Sequence, residues 1–275
     1  MVTDGNTLLG ADDKAGIAII MNALEYYHNH PEIPHHTICV CFTVDEEIGE
    51  GPLHFNYEKM NADFAYTFDG SSPNVIECEN FNAKALDIHI KGVSIHPGEG
   101  KGKLINAGQV ASELLALFPR DDNPYHSEGD GGFWHLTEIS GTPDNADISL
   151  ILRDFYMDRL ENRIRLIEEA IEQIKNVYPQ IEVTSEYKDQ YENMKPYVEQ
   201  KPEVIERAKK ALMMNDLNPE IGRIRGGTDG ATMSKNGLIT PNLGTGSYNH
   251  HGRYEYLDVQ EYETLIKVAI DITRI

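Results

Sequence analysis

The chain has 275 residues, 40% of them hydrophobic, which is enough for one large or two modest folded domains with their own cores. A formal net charge of −21 argues against nucleic acids and anionic membranes as partners, and no run approaches the roughly 18 uncharged apolar residues that a transmembrane helix needs. The start of the chain shows neither the charged nor the apolar region of a secretory signal, and the three cysteines are an odd number, so we expect a cytoplasmic protein with reduced thiols.

The first 80 residues alternate predicted strands with a helix, which is typical of a mostly parallel α/β sheet. The segment 37–44 is an uncharged apolar run, so we predict a buried strand there, with Cys39 and Cys41 as small core residues. The other predicted elements are a strand end at 7–10, a helix at 14–27 and a strand at 65–68.

The pattern changes between residues 81 and 192. Here the predicted order is strand, helix, strand, strand, helix, strand, which is the split βαβ arrangement of ferredoxin-like domains. We expect the apolar stripe of the second helix to form this domain's own core. The elements are predicted at 86–90, 104–118, 133–140, 146–153, around 160–174 and at 180–185.

Residues 193–275 return to the α/β rhythm, with helices predicted at 203–213 and from Val259 onward and with loops at 225–230 and 244–252. We therefore predict that residues 1–80 and 193–275 form one domain with a mostly parallel sheet. Residues 81–192 form a βαββαβ domain inserted between them.

Polar clusters follow the predicted strands. In open α/β sheets the carboxyl ends of the strands converge on one crevice, so these clusters are candidates for a shared site. Carboxylates that meet a histidine have the composition of a zinc site, and a two-metal site also needs a bridging carboxylate. Any one cluster taken alone is better explained as an acidic surface turn. The clusters are Asp12-Asp13, Glu46-Glu47, Asp69 and His250-His251.

Glu46 and Glu47 are adjacent, and neighbouring side chains on a strand point to opposite faces. If the strand ends at Asp45, the turn that follows can aim both carboxylates at one cleft. One glutamate would then bind metal and its neighbour would act as a general base that takes a proton from water.

Seven motifs carry a family resemblance. In chain order they are GADDKAG, FTVDEEIGEG, YTFDG, IHPGEGKG, ILRDF, IRGGTDGA and YNHHGRYE. With these motifs the chain resembles the di-zinc exopeptidase family, and within it the tripeptide aminopeptidases. The resemblance implies a zinc-exopeptidase catalytic domain, an inserted lid or dimerisation domain, two zinc ions, short peptide substrates and a homodimer through the inserted domain.

The resemblance also implies roles for the clustered residues. Asp12 would bridge both zinc ions, although position alone does not separate it from Asp13. Glu47 and His251 would bind one zinc ion, and Asp69 would bind the other. Glu46 would be the general base.

Further residues match the substrate-binding positions of the family. His96 would stabilise the oxyanion, and Arg153 would hold the carboxylate end of the peptide. Without the resemblance, His96 is explained as a turn residue and Arg153 as a solvated side chain on a strand. The residues expected to line the same substrate end are Asn106, Arg225, Thr228 and Asp229.

The family's upstream His-x-Asp segment has no counterpart here, because only nine residues precede GADDKAG. The resemblance therefore implies that the zinc site of Asp12 and Asp69 lacks its histidine. We expect the chain to correspond to the later part of a longer protein, with an N-terminally incomplete catalytic sheet, an exposed sheet edge and little or no activity alone.

Three other hypotheses remain open. The same metal chemistry can act on a dipeptide, on an N-acyl amino acid or on a carboxypeptidase substrate. The chain can also be a truncated, non-catalytic assembly module. An acidic calcium-binding protein is the remotest hypothesis, because calcium prefers six to eight oxygen ligands and the EF-hand spacing is absent.

Overall fold

The computed structural model describes residues 1–275, which divide into one unit of residues 1–80 with 193–275 and a second unit of residues 81–192. None of its helices is both long enough and apolar enough to cross a membrane. The first 80 residues contain α1 (Ala11–Asn29), α2 (Tyr57–Met60), β1 (Thr67–Gly70) and β2 (Val75–Asn80), with short 3-10 turns at Glu46–Ile48 and Gly51–His54.

The regular part of α1 begins after two aspartates. Asp12 and Asp13 have non-helical backbone angles, and the Asp13 carboxylate accepts a hydrogen bond of 3.1 Å from the Gly16 N–H, as a helix-capping side chain does. A Cβ atom at Gly16 would lie 2.0 Å from the Phe68 carbonyl oxygen. The helix therefore packs directly on β1, which brings its acidic first turn to the end of that strand.

Residues 81–192 form an antiparallel sheet with two helices. The elements are β3 (Asn82–Lys91), α3 (Ala107–Ala116), β4 (Phe133–Gly141), β5 (Asn145–Asp154), α4 (Met157–Val177) and β6 (Glu182–Tyr191), and the strand order is β4-β5-β3-β6. The predicted βαββαβ order is confirmed. Leu160, Ile167, Ile171 and Ile174 of α4 lie in the core of this unit, so the apolar stripe serves the unit itself.

An ion-pair network holds α4 in this unit. Asp154 is fully buried and pairs with Arg163, and Arg163 also binds both oxygens of Asp122 at 2.7 Å. A bidentate arginine–carboxylate pair fixes geometry as well as charge. The network therefore ties the end of β5 to α4 and to the loop before β4.

The remaining elements complete the first unit. They are α5 (Lys195–Val198), α6 (Pro202–Met214), β7 (Glu220–Ile224), α7 (Asp229–Lys235), β8 (Asn242–Gly244), β9 (Ser247–Tyr248), β10 (Tyr256–Leu257) and α8 (Val259–Thr273). The main sheet has the order β1-β8-β2-β7, with β1–β8 and β2–β7 parallel and β2–β8 antiparallel. Its core includes Ile19, Ile76 and Leu243, so α1 packs against the sheet. The predicted α/β class with a mostly parallel sheet is confirmed.

Two strand predictions are wrong. Residues 37–44 form no strand, and Cys39 and Cys41 are exposed rather than buried in the core. The segment contributes Ile38 to the core, while Val40, Phe42 and Val44 are 37%, 48% and 76% exposed. Apolar character predicts burial only where another surface covers it, and a strand exists only where a neighbouring strand takes its backbone groups. Residues 7–10 likewise form no strand.

The loop that joins β9 to β10 reaches back to the first turn of α1. Its residue Glu255 is 3% exposed, and its carboxylate accepts hydrogen bonds from the backbone N–H groups of Gly10 at 2.6 Å and Asp12 at 3.0 Å. Burial acts to raise the pKa of Glu255, but the N–H groups around it outweigh burial and lower the pKa. The buried Glu255 carboxylate therefore fixes the backbone at Gly10 and Asp12.

Substitution of this carboxylate tests the contact. We expect Glu255→Ala to lower the free energy of unfolding by about 2 kcal/mol, because two partly buried N–H groups lose a charged acceptor. Glu263→Ala, an exposed position on α8, is the matched control and should change it by less than about 0.5 kcal/mol. Urea unfolding followed by far-UV circular dichroism measures both. Equal effects of the two variants would contradict the assigned contact.

Candidate active site

Glu46 and Glu47 lie together on the 3-10 turn Glu46–Ile48, so the strand geometry that would separate them is absent. The turn begins at Asp45, whose φ of +60° is in the left-handed region. Glu46 is half-buried and Glu47 is exposed. The turn therefore presents two adjacent carboxylates in different surroundings.

Three side chains from distant parts of the chain meet beside Glu47. The His251 Nε2 atom lies 3.1 Å from an Asp12 oxygen and 3.0 Å from a Glu47 oxygen. The ligand atoms of these three residues all lie within 4.8 Å of one another. The structure thus brings together the three residues predicted to share one metal ion.

The neighbouring His250 has a different environment. Its Nε2 atom lies 2.8 Å from the Ser247 hydroxyl, and its Nδ1 atom is 3.8 Å from the Asp12 carboxylate. His250 is therefore engaged by its own loop, while His251 faces two carboxylates. This geometry separates the two adjacent histidines, which the sequence alone does not.

A second group of possible ligands contains Asp12, Asp13 and Asp69, again with ligand atoms within 4.8 Å of one another. Burial, followed by the nearby carboxylates, raises the pKa of Asp69 to about 9. Burial also raises the pKa of Asp13 to about 8, with Asp12, Glu46 and Glu47 adding to the effect and the Gly16 N–H opposing it. Asp12 belongs to both groups.

The donor set fits divalent metal ions. Carboxylate oxygens and an imidazole nitrogen are ligands that zinc accepts, and closely spaced buried carboxylates gain stability when a cation neutralises them. Two groups that share one aspartate match the composition of a two-metal site. The second group consists of three aspartates and contains no histidine.

Glu46 contacts the start of α7. The Asp229 backbone N–H donates a hydrogen bond to the Glu46 carboxylate, and the Asp229 carboxylate accepts one of 2.7 Å from the Thr43 hydroxyl. Burial, followed by the charges of Asp229, Glu47 and Asp12, raises the pKa of Glu46 to about 7. Glu46 is therefore a carboxylate held near the ligand groups and able to take up a proton near neutral pH.

Two predicted substrate residues lie in the second unit. Arg153 is 9% exposed, donates to the backbone oxygens of Leu152 and Lys84, and lies under the ring of Tyr191 at 5.1 Å from its centroid. Burial lowers the pKa of its guanidinium, although Tyr191 opposes the shift. The interpretation of Arg153 as a solvated surface residue is wrong, because its side chain is buried and its guanidinium packs against the ring of Tyr191.

His96 is exposed at the start of a 3-10 turn, Pro97–Glu99. Its Nδ1 atom accepts a hydrogen bond of 3.2 Å from the Gly98 N–H. In the neutral ring an accepting Nδ1 leaves the proton on Nε2. The ring therefore has an N–H that it can donate to another group.

The other predicted substrate residues have contacts within the fold. Asn106 caps α3 by accepting a hydrogen bond of 3.3 Å from the Gln109 N–H. Thr228 is buried, and its hydroxyl donates to Asn242 at 3.0 Å. Arg225 is exposed. Their contact with substrate stays a prediction.

Sequence reasoning missed Glu255, Thr43 and Tyr191, which act on the candidate residues through contacts distant in sequence. Glu255 lies inside the quoted motif YNHHGRYE, and that was the one available signal for it. Thr43 likewise lies inside the motif FTVDEEIGEG, whereas Tyr191 carries no local pattern that marks it. The contacts that single them out join residues 186 and 38 positions apart.

The comparisons with known proteins agree with the resemblance seen in the motifs. Peptidase T of Bacillus subtilis is 44% identical over 274 residues, which cover 100% of this chain and 67% of that protein. The aminopeptidase PepT of Bacillus cereus has a TM-score of 0.84 at 25% identity, with 99% of this chain and 73% of that chain covered.

A tripeptidase of Staphylococcus aureus has a TM-score of 0.86 at 21% identity, with 99% of this chain and 72% of that chain covered, and this likeness shows the fold alone. The model of peptidase family M20/M25/M40 matches residues 4–274. The chain therefore belongs to peptidase family M20/M25/M40 and is a hydrolytic peptidase.

Proposed function

We propose that the chain is a zinc-dependent aminopeptidase that releases the N-terminal residue of tripeptides. The observation that carries the proposal is the position of Asp12 in two groups of possible ligands at once. A shared carboxylate is what a two-metal hydrolase requires. Family membership and the aminopeptidase of Bacillus cereus support the direction of the proposal.

The residues that would hold the metal follow from the two groups. Asp12, Glu47 and His251 would hold one zinc ion, and Asp12 with Asp69 would hold the other. When bound, zinc polarises the scissile carbonyl and makes water a better nucleophile at neutral pH. Asp13 belongs to the second group, but its carboxylate also caps α1, so its proposed role is to orient the acidic turn rather than to bind zinc.

Glu46 supplies the proton transfer. Its carboxylate accepts a proton from the attacking water and passes it to the amine that leaves when the peptide bond breaks. Because Glu46 is absent from both ligand groups, its oxygens are available for this step. Glu46 is half-buried and lies outside the ligand groups, whereas Glu47 is exposed and belongs to one of them. Their proposed roles as base and metal ligand follow from this difference.

The second unit supplies groups for the substrate. Arg153 is a buried guanidinium that forms no ion pair with any carboxylate in residues 1–275, and its planar donors match a carboxylate. It would bind the C-terminal carboxylate of the peptide. The N–H of His96 would stabilise the oxygen that gains charge during attack. Asn106, Arg225 and Thr228 are proposed to line the same end of the substrate.

Assembly and location are also proposed. A homodimer through residues 81–192 is supported by β4 and β6, which lie at the two edges of their sheet and can pair with another strand. A cytoplasmic location is supported by the free thiols of Cys39, Cys41 and Cys78. Short peptides are the partners proposed for the site.

Metal content tests the ligand assignment. We expect His251→Ala to weaken zinc binding by about 100-fold or more, because it removes the histidine of the first group. His250→Ala is the matched control and should retain zinc, since His250 is held by Ser247. Zinc bound per chain, measured by mass spectrometry after dialysis against a competing chelator, distinguishes them. Equal losses in both variants would refute the choice of His251.

Glu46→Gln tests the general base. We expect kcat for Ala-Ala-Ala to fall by about 1,000-fold with zinc still bound, because glutamine cannot accept the proton. Glu50→Gln, on the same exposed loop, should behave like the unaltered chain.

Retained turnover in Glu46→Gln removes Glu46 as the base. In the same assay, equal rates on Ala-Ala-Ala and its N-acetylated form would exclude an aminopeptidase and favour one of the related amide hydrolases.

Arg153→Met tests recognition of the substrate carboxylate. We expect the unaltered chain to prefer Ala-Ala-Ala over its C-terminal amide, and the variant to lose that preference together with about 100-fold in kcat/KM. Arg159 also lies over a tyrosine ring but is half exposed, so Arg159→Met is the control. A preference that survives in Arg153→Met would show that another group binds the carboxylate.

A further inference from the structure

We infer that Thr43 and Asp229 hold Glu46 in position for catalysis and that Asp229 acts there rather than as a substrate contact. The inference rests on the proposed role of Glu46 as general base and deepens it. All three residues lie within the unit formed by residues 1–80 and 193–275.

Asp229 contacts the glutamate loop with both its backbone and its side chain. Its N–H donates to the Glu46 carboxylate, and its own carboxylate accepts the hydrogen bond of 2.7 Å from Thr43, three residues before Glu46. One residue at the start of α7 thus binds the loop on both sides of its turn. This arrangement fixes the Glu46 carboxylate relative to a helix.

The loop has few other means of being held in place. Val44 and Ile48, the apolar residues that flank the two glutamates, are 76% and 70% exposed and contribute nothing to the core. The backbone between them passes through the left-handed conformation at Asp45. Without apolar packing, the polar contacts to Asp229 decide where the carboxylate of Glu46 lies.

A glycine allows the close approach of Asp229. A Cβ atom at Gly51 would lie 2.4 Å from an Asp229 carboxylate oxygen, so a larger residue there would displace the carboxylate. Asp229 therefore meets the loop at three points, namely Thr43, Glu46 and Gly51. The contacts of Asp229 therefore extend along the loop from Thr43 to Gly51.

Burial argues against a direct substrate role for Asp229. The residue is 6% exposed, and the Thr43 hydroxyl is the side chain that donates to its carboxylate. A buried carboxylate that loses its donor is costly, so the hydroxyl of Thr43 and the carboxylate of Asp229 depend on each other. The hydrogen bond between Thr43 and Asp229 therefore helps to hold Glu46, the proposed general base, in place.

The test compares Thr43→Val with Thr43→Ser. Valine keeps the shape of threonine but cannot donate, whereas serine keeps the hydroxyl. We expect Thr43→Val to lower kcat for Ala-Ala-Ala about tenfold or more, with KM changed less than about twofold and zinc content unchanged, because a displaced base loses its alignment. Thr43→Ser should stay within about twofold of the unaltered chain.

A second readout does not depend on activity. Hydrogen exchange of the Asp229 amide in the metal-free protein should be faster in Thr43→Val and unchanged in Thr43→Ser, because that amide is bonded to Glu46. Unchanged exchange in Thr43→Val overturns the inference, as does an equal loss of kcat in both variants. If the unaltered chain cleaves no tripeptide while exchange responds as expected, the proposed function is wrong, but the positioning of Glu46 by Thr43 and Asp229 is supported.

Discussion

The position of Asp12 depends on one loop that contacts both its backbone and its side chain. Glu255 binds the backbone N–H of Asp12 from within the fold, and His251 lies 3.1 Å from its carboxylate. Both residues belong to the connection between β9 and β10, which are paired with each other in a short antiparallel hairpin. Any shift of this hairpin would therefore move the backbone anchor and the histidine together. The register of two very short strands therefore sets the position of Asp12 relative to His251.

The same centre concentrates negative charge. Burial, reinforced by the charges of neighbouring carboxylates, raises the pKa values of Asp13, Glu46 and Asp69. Such a cluster is costly in the folded chain until a cation shares the space. A metal ion bound here as proposed would therefore stabilise the folded first unit, since a ligand that binds only the folded form stabilises that form.

The sequence predicted the elements whose pattern is local. The βαββαβ order of residues 81–192 and the apolar stripe of α4 follow from periodicity and turn residues, and both are confirmed. The convergence of Asp12, Glu47 and His251 could be expected only from the order of the motifs, because each motif alone suits a surface turn. The resemblance implied His251 rather than His250 as the ligand, but the loop geometry that turns His251 toward the carboxylates is encoded in no local pattern.

Other features could not be predicted because they are long-range contacts. Glu255 and Thr43 act on residues more than 180 positions away, and Tyr191 meets Arg153 from β6, which β3 separates from β5 in the sheet. The error at residues 37–44 has the opposite cause. There the local pattern is strong, but a strand needs a partner, and the pattern contains no information about whether one is present.

That uncovered segment has a consequence for the behaviour of the purified chain. Residues 37–44 carry eight consecutive side chains without a charge or a proline, and most of them are exposed to water. Segments of this composition stack with identical copies of themselves into cross-β fibrils with dry, interlocked side chains. Self-association should then rise steeply with protein concentration, and one lysine placed at Phe42 would interrupt the stacking where the exposed apolar surface is centred. The stretch that leads into the two glutamates is thus also a segment that favours fibril formation.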